Sequence, residues 1–341
     1  MVLANLGRQD ALAVRFVGVQ SRNGIGVETK GRGRMSWILI DSDLTESARR
    51  ESLYNGTLFL TTPTPATKAL CDLAWEMIED AFGDVDPHEA QDALPVEEFS
   101  NVIGPLKTNF THEARSKEAI TAMLIEFGCD PEETYFDIPR LRVVTHSNYL
   151  TAGLGYAYQP HRDIWYAAPP CQVNWWLPIN SIGLASALAF HPQWWSNPVP
   201  NTSSGFDTYE WNATGRADAA KHVKTDTRNH PVPSEEIDLS DDIRIVGQPA
   251  STLMFSGAHL HSTVPNTSGR TRFSIDFRTI NLSDLVNRVG AVEIDDGSTG
   301  TTARDFLRLT DRSQLPEDVV AIYDVGSTHS GPLVFDPSVV S

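Results

Sequence analysis

Cysteine is scarce: Cys71, Cys129 and Cys171 are the only three in 341 residues. They are too few and too scattered for a disulfide framework or a zinc knuckle. Basic residues are also short, 27 Lys and Arg against 44 Asp and Glu, for a formal net charge of −17. A surface of that sign repels phosphate backbones and no basic stripe offsets it, so no nucleic-acid partner is expected. No stretch approaches the roughly 18 uninterrupted apolar residues of a membrane-spanning helix, so no membrane partner is expected either. Arg8, Asp10 and Arg15 interrupt what would have to be the apolar core of a secretory signal, which predicts a cytoplasmic protein. The six Asn-x-Ser/Thr sequons then reflect a Ser-, Thr- and Asn-rich composition. What is abundant is apolar material, 40% against 21% charged residues, enough for a sizeable core in one large domain or two ordinary ones.

Residues 1–139 read as short strands and helices that pack on a β core. Ser36 to Asp41 is a β-prone apolar run. Thr64-Pro65 opens a helix whose inner face is Leu70, Leu73, Ala74, Met77, Ile78 and Ala81, at three- and four-residue steps. A second helix is predicted over Ser116 to Phe127, with Ile120, Met123, Leu124 and Phe127 inward and Gly128 as its stop. The acidic stretch Asp84 to Glu98 between them reads as exposed. After Pro139 short β-prone runs alternate with Gly, Pro and Asn turns: Leu141–Thr145, Val173–Ile179, Ala185–Phe190, Ser251–Phe255 and Arg272–Arg278. That texture suggests a sandwich or barrel rather than βαβ units. The core is thus 140–281, with a polar, Trp-dotted insertion at 192–237 of the kind that forms lids or binding loops. Residues 282–341 form a C-terminal extension, in which Thr302 to Leu307 reads as a short helix and the whole chain as one structural domain.

His161-Arg-Asp163 is the first candidate for chemistry. Two residues apart on a strand, imidazole and carboxylate point to one face and can share a metal ion. His259 and His261 follow about a hundred residues later, directly after the apolar run Leu253–Phe255, so that either can close a triad. Arg272 lies eleven positions beyond His261, and Ser274 two further on the same strand face. Two histidines and one carboxylate leave positions of an octahedral Fe(II) open for a bidentate 2-oxo acid and O₂. A guanidinium fork with a hydroxyl matches the distal carboxylate of such a co-substrate. A cupin-type binding protein is the rival of another class, since His259-Leu-His261 is itself an H-x-H pair; Ser262 to Gly269, however, contain no acid to complete that site.

From Leu141 to Ile280 the chain resembles the Fe(II)/2-oxoglutarate-dependent oxygenases, on His161-Arg-Asp163, His261-Ser-Thr-Val-Pro-Asn266 and Arg270-Thr-Arg-Phe-Ser274. The His-x-x-x-Pro-Asn segment followed by Arg is similar to the phytanoyl-CoA hydroxylase-like branch. The resemblance implies a double-stranded β-helix, a cupin-like jelly roll that is mainly β with flanking helices. It also implies Fe(II), 2-oxoglutarate and O₂ as cofactor and co-substrates. His161, Asp163 and His261 are then the metal ligands, Arg272 the 2-oxoglutarate anchor and Ser274 its helper. His259 with Arg270 is the alternative pairing; His261 is preferred because it begins the His-x-x-x-Pro-Asn segment. Asp163 occupies the position a halide would need, so oxidation of an aliphatic C–H is expected: hydroxylation, desaturation or ring closure.

Gln172, Asn174 and Trp176 share one face of a barrel strand, with Val173 and Trp175 on the other; the two amides are expected to meet co-substrate or substrate. His146, Asn148 and Tyr158 precede the metal motif as candidates for the pocket, Trp165 and Tyr166 for its wall or lid, and Arg140, Arg142 or Arg162 for a substrate carboxylate. Trp194, Trp195 and Trp211 read as packing, and Arg278 as a surface or salt-bridge residue. With only 6 lysines there is no patch for a coenzyme A phosphate. A small polar molecule is expected instead. Similarities are drawn to fungal natural-product oxygenases of small aliphatic amino acids, including those that form an aziridine, and to hydroxylases of the acidic sugar Kdo. Leu333 and Phe335, two apart and bracketed by Pro332 and Pro337, are expected to fold back as part of an aliphatic substrate wall.

Overall fold

The computed structural model describes residues 12–15, 25–27, 35–150, 159–215 and 228–327. Tyr158, Leu333 and Phe335 lie outside them. In chain order the elements are β1 (Leu12–Arg15), β2 (Ile25–Val27), β3 (Met35–Ile40), α1 (Glu46–Tyr54), β4 (Leu58–Thr61), α2 (Pro65–Phe82), α3 (Ala90–Ala93), α4 (Val96–His112), α5 (Ala114–Glu126), β5 (Thr134–Phe136), β6 (Arg140–Val144), β7 (Val173–Pro178), β8 (Leu188–Phe190), α6 (Thr208–Glu210), β9 (Ile243–Val246), β10 (Thr252–Ser256), β11 (His261–Thr263), β12 (Arg272–Asn281), α7 (Leu282–Asn287), β13 (Leu307–Arg308) and α8 (Glu317–Val320). Among the described residues no helix is long and apolar enough to cross a membrane.

The strands form two sheets. The larger runs β13-β5-β12-β7-β10-β4-β3-β2, with β6 also paired to β12; the smaller runs β1-β9-β8-β11. An apolar cluster joins them, with Leu60, Trp176, Leu253 and Phe255 from the larger sheet against Leu188, Phe190, Ile243 and Ile245 from the smaller. The other face of the larger sheet is covered by helices. There Phe273, Ile275 and Phe277 of β12 and Val173, Trp175 and Leu177 of β7 share one buried cluster with α2, α4 and α5. Trp175 and Phe277 are cross-strand neighbours whose rings stack at 5.8 Å. Because side chains alternate along a strand, that packing turns Arg272, Ser274, Asp276 and Arg278 towards the space between the sheets. Strand β12 is therefore apolar towards the helices and polar towards the cavity.

The two anticipated helices form, with local reasons. Thr64 caps α2: its hydroxyl accepts from Thr67 N–H, and Thr67 Oγ1 accepts from Thr64 N–H at 2.9 Å. Ala81 is exposed and Phe82 takes the inward place, so the buried stripe ends one residue later than the spacing predicts. Helix α5 stops two residues before Gly128, whose φ of +77° a side chain would resist. The stretch Asp84 to Glu98 is not wholly exposed. Ala90 and Gln91 are buried, because the Gln91 amide bonds the backbone of His146 and the hydroxyl of Thr271. Residues 302–305 form a 3₁₀ turn rather than a longer helix.

Candidate metal centre

His161 and His261 face each other across an isolated antiparallel bridge, the backbone N–H of each donating to the carbonyl of the other at 3.0 Å. Their ring centroids are 4.4 Å apart. Asp163 opens a 3₁₀ turn, 163–166, which Ile164 N–H ties to Gly257 O. The ligand atoms of His161, Asp163 and His261 all lie within 4.8 Å of one another, and the three residues are buried. In the imidazoles, Nδ1 of His161 sits 2.8 Å from Gln159 O, and Nδ1 of His261 sits 3.0 Å from His259 O. A carbonyl can only accept, so each Nδ1 carries a proton and each Nε2 is the atom left to face a metal. His161 Nε2 lies 3.4 Å from Asp163 Oδ1, and a shared proton or a metal cation between them satisfies both. Burial opposes charge on Asp163, but its hydrogen bond with His161 and the neighbouring His261 outweigh it and hold its pKa down at about 2. Burial, then the neighbouring His161, pushes His261 down to about 3, so it stands neutral and ready as a ligand.

His259 is excluded from the cluster by its own bonds. Its Nδ1 lies 3.2 Å from Ser256 O and its Nε2 3.1 Å from Gly56 O, and its ring packs on Trp195 at 4.4 Å. Burial lowers its pKa to about 4, so the ring is neutral and its one N–H donates to one of these two carbonyls.

Beside the triad lies a second unsatisfied group. Arg272 is buried with its guanidinium 5.8 Å from the Trp176 ring centre, and its Nη1 donates to Ser186 O at 2.7 Å. Arg272 Nε, Ser274 Oγ and Asn174 Nδ2 are buried without a hydrogen-bond partner. Each such group costs about 1–3 kcal/mol unless something binds it, and a carboxylate answers two donors set two residues apart on β12. Burial, then Arg142, lowers the Arg272 pKa to about 10, so it remains a cation. Gln172 Nε2 bonds Asp163 Oδ2 at 3.3 Å and Asn174 Oδ1 at 3.0 Å. Arg278, read from sequence as a surface or salt-bridge residue, has its Nε 3.8 Å from that same Asp163 oxygen.

Apart from Ser274, which is fully buried behind them, these groups line a cavity of about 460 Å³. Its roof includes Phe206, Trp211 and His230 of the insertion and Tyr166, whose ring meets His161 edge-on at 5.6 Å. Tyr166 contacts Phe206 at 5.1 Å, Phe206 contacts Trp211 at 5.9 Å, and Trp211 contacts His230 at 4.6 Å. Trp211 is thus cavity wall as well as packing, while Trp194 and Trp195 belong to a cluster behind Ile164. Phe206, His230 and Lys107 were not identified from sequence. The first two sit in loop with no periodicity, and Lys107 on a helix that was not anticipated.

His146 does not line the cavity: its ring bonds Ser147 and Asp92 beside α3. Arg162 is likewise no substrate group. It points away from His161 and Asp163, pairing Asp295 at 3.0 Å and donating to the carbonyls of Ala258, Trp194 and Asn197. Trp165 joins it on Asp295, at 2.7 Å. Arg162→Met strands that enclosed carboxylate, and a loss of about 3–5 kcal/mol is expected in urea unfolding. Arg270 is an exposed partner of Asp86 at 3.7 Å.

No protein-family model and no curated protein matches the chain. Solved structures to which it is similar include EvdO2 from Micromonospora carbonacea var. aurantiaca complexed with 2-oxoglutarate, at 11% identity over 70% of this chain and 92% of that one, with a TM-score of 0.39. The epimerase SnoN in complex with Fe3+, alpha ketoglutarate and nogalamycin RO matches at 12% over 69% and 84%, TM-score 0.37. EctD from S. alaskensis in its apoform matches at 15% over 74% and 85%, TM-score 0.36.

Proposed function

We propose that the chain is an Fe(II)- and 2-oxoglutarate-dependent oxygenase that oxidises an aliphatic C–H of a small polar substrate. One observation carries the reading: a buried 2-His-1-carboxylate cluster stands beside a buried, unsatisfied Arg272–Ser274 pair. His161, Asp163 and His261 would hold the metal through two imidazole lone pairs and one carboxylate, a set suited to Fe(II) with open positions. Bound Fe(II) with 2-oxoglutarate and O₂ supplies the oxidising power for an unactivated C–H. Arg272 and Ser274 would grip the distal carboxylate, with Trp176 under the guanidinium. Gln172 bonds the outer oxygen of Asp163 and Arg278 lies near it, which would leave the other oxygen for the metal. The aromatic roof from Tyr166 to His230 keeps bulk water from the reacting face. The two facing sheets, with the ligands between them, support a jelly-roll frame. A cytoplasmic enzyme of secondary metabolism acting on an aliphatic amino acid is the preferred form of the reading.

The test is anaerobic addition of Fe(II) and 2-oxoglutarate to the purified chain. A visible charge-transfer band and, in air, slow succinate release without substrate are expected. Absence of both overturns the oxygenase reading in favour of a binding protein. A panel of amino acids and Kdo, scored by stimulation of succinate release, then separates the substrate classes.

A further inference from the structure

Two residues that bracket Asp163, Arg162 and Trp165, lean on one carboxylate, and it comes from the C-terminal extension. Arg162 Nε donates to Asp295 Oδ2 at 3.0 Å, and the Trp165 indole N–H donates to Asp295 Oδ1 at 2.7 Å. Oδ2 also receives Val199 N–H at 2.9 Å, from the insertion. The side chains of Arg162 and Asp295 are 1% and 4% exposed, so water takes little share in these bonds. With both oxygens engaged, the carboxylate cannot turn without stranding a buried donor.

The rest of Arg162 reaches towards the third ligand. Its guanidinium donates to the carbonyl of Ala258, three residues before His261, and to those of Trp194 and Asn197. One side chain thus ties the segment that carries His161 and Asp163 to the segment that leads to His261. A guanidinium is planar, so the Nε bond to Asp295 sets the direction of both Nη groups. The extension grips the same region through its main chain. Ala291 N–H donates to Pro170 O at 3.0 Å, Thr302 N–H to Ala167 O at 2.9 Å and Thr299 N–H to Phe206 O at 3.0 Å. The main-chain tie from Ile164 to Gly257 O is long by comparison, at 3.3 Å.

We infer that Asp295 is a positioning residue of the metal centre. Acting through Arg162 and Trp165, it holds the Asp163 carboxylate at the spacing from the two imidazoles that a shared metal needs. This rests on the metal-binding part of the oxygenase reading. Partners outside the ligand set are typically worth about 10–100-fold in metal affinity when they orient a ligand, and Asp295 orients one by clamping the chain on both sides of it.

The test uses Co(II) alone, titrated into the full chain at a temperature well below the melting point of every variant. The visible absorption of Co(II) reports ligand geometry as well as occupancy. Asp295→Asn keeps the shape of the side chain, but its single oxygen can serve only one side and its NH₂ group faces donors on the other. A loss of about tenfold or more in Co(II) affinity is expected, with shifted absorption bands. Trp165→Phe removes one donor and keeps the carboxylate, and should move both readings the same way by less. Asn201→Ala is the control on the far side of the hub. Its amide donates to the backbone carbonyls of Asp295 and Val199, at 2.7 and 2.9 Å, and touches neither Arg162 nor Trp165. That variant should melt lower with the Co(II) affinity and spectrum of the parent. Parent-like affinity and spectrum in Asp295→Asn overturn the proposal. So does a loss in Asn201→Ala as large as that in Asp295→Asn, the mark of general loosening. If Asp295→Asn does not fold, Trp165→Phe decides by the same two readings. A parent chain that takes up no Co(II) would overturn the metal-centre reading and this role with it, whereas equal binding by parent and Asp295→Asn removes the role of Asp295 alone.

Discussion

Alanine at His261 is expected to leave the protein folded but without tightly held Fe(II), and without succinate release above background. Losing an outer-shell partner of a ligand typically costs about 10–100-fold in metal affinity; losing one of three ligands should exceed that. His259→Ala is the control two residues away. Its ring is held by Ser256 O and Gly56 O and packs on Trp195, so its removal opens a hole in the core. About 1–3 kcal/mol of stability should go, with one metal per chain retained. Metal content after desalting, beside a thermal melt for each variant, decides it. A metal-free His259→Ala with a metal-replete His261→Ala would reverse the assignment.

Replacing Arg272 with methionine should produce the other large effect, on 2-oxoglutarate. The guanidinium is buried and cationic, with an unpartnered Nε facing the cavity beside the Ser274 hydroxyl. Removing one partner of a buried, hydrogen-bonded charge pair costs about 2–5 kcal/mol, an affinity loss of roughly thirtyfold or more. Metal content should be unchanged, since Arg272 contacts none of the three ligands. Arg272→Lys should recover only part of the loss, because an ammonium cannot present two parallel donors. Methionine should relieve the buried charge, so the variant is expected to melt no lower than the parent. Unchanged 2-oxoglutarate affinity in Arg272→Met would remove the anchor from the proposed site.

Much of this arrangement was legible where the signal is local. The three- and four-residue stripe of α2, the proline that opens it and the alternation of β7 and β12 are short-range patterns that tertiary packing reinforced. Spacing also put His161 with Asp163 and Arg272 with Ser274. The same alternation argues against Arg162 as a substrate group, since a residue between two inward ligands points outward. Helix α4 was not read, although Phe99, Ile103, Leu106 and Phe110 form its buried face. Gly104 and Pro105 in its middle are poor helix formers, yet Pro105 is exposed and the apolar face holds the helix together. That omission hid Lys107, which lines the cavity. The stretch before α4 looked solvated because its composition is acidic; Gln91 is buried there for the backbone bonds it makes at His146, which no local pattern announces. Phe206 and His230 reach the roof through irregular chain whose course only the assembled structure reveals.

The bridge between His161 and His261 fixes more than a distance. Both imidazoles hang from main chain that is bonded to itself in both directions, so they meet an incoming ion as a fixed jaw. Asp163 closes the third side from a short turn that Ile164 N–H ties to Gly257 O, with Gln172 on its outer oxygen. Such a jaw sorts ions by radius. Ni(II), Co(II) and Zn(II), close to Fe(II) in size, should enter without disturbing the bridge, whereas a larger ion such as Ca(II) should bind more weakly.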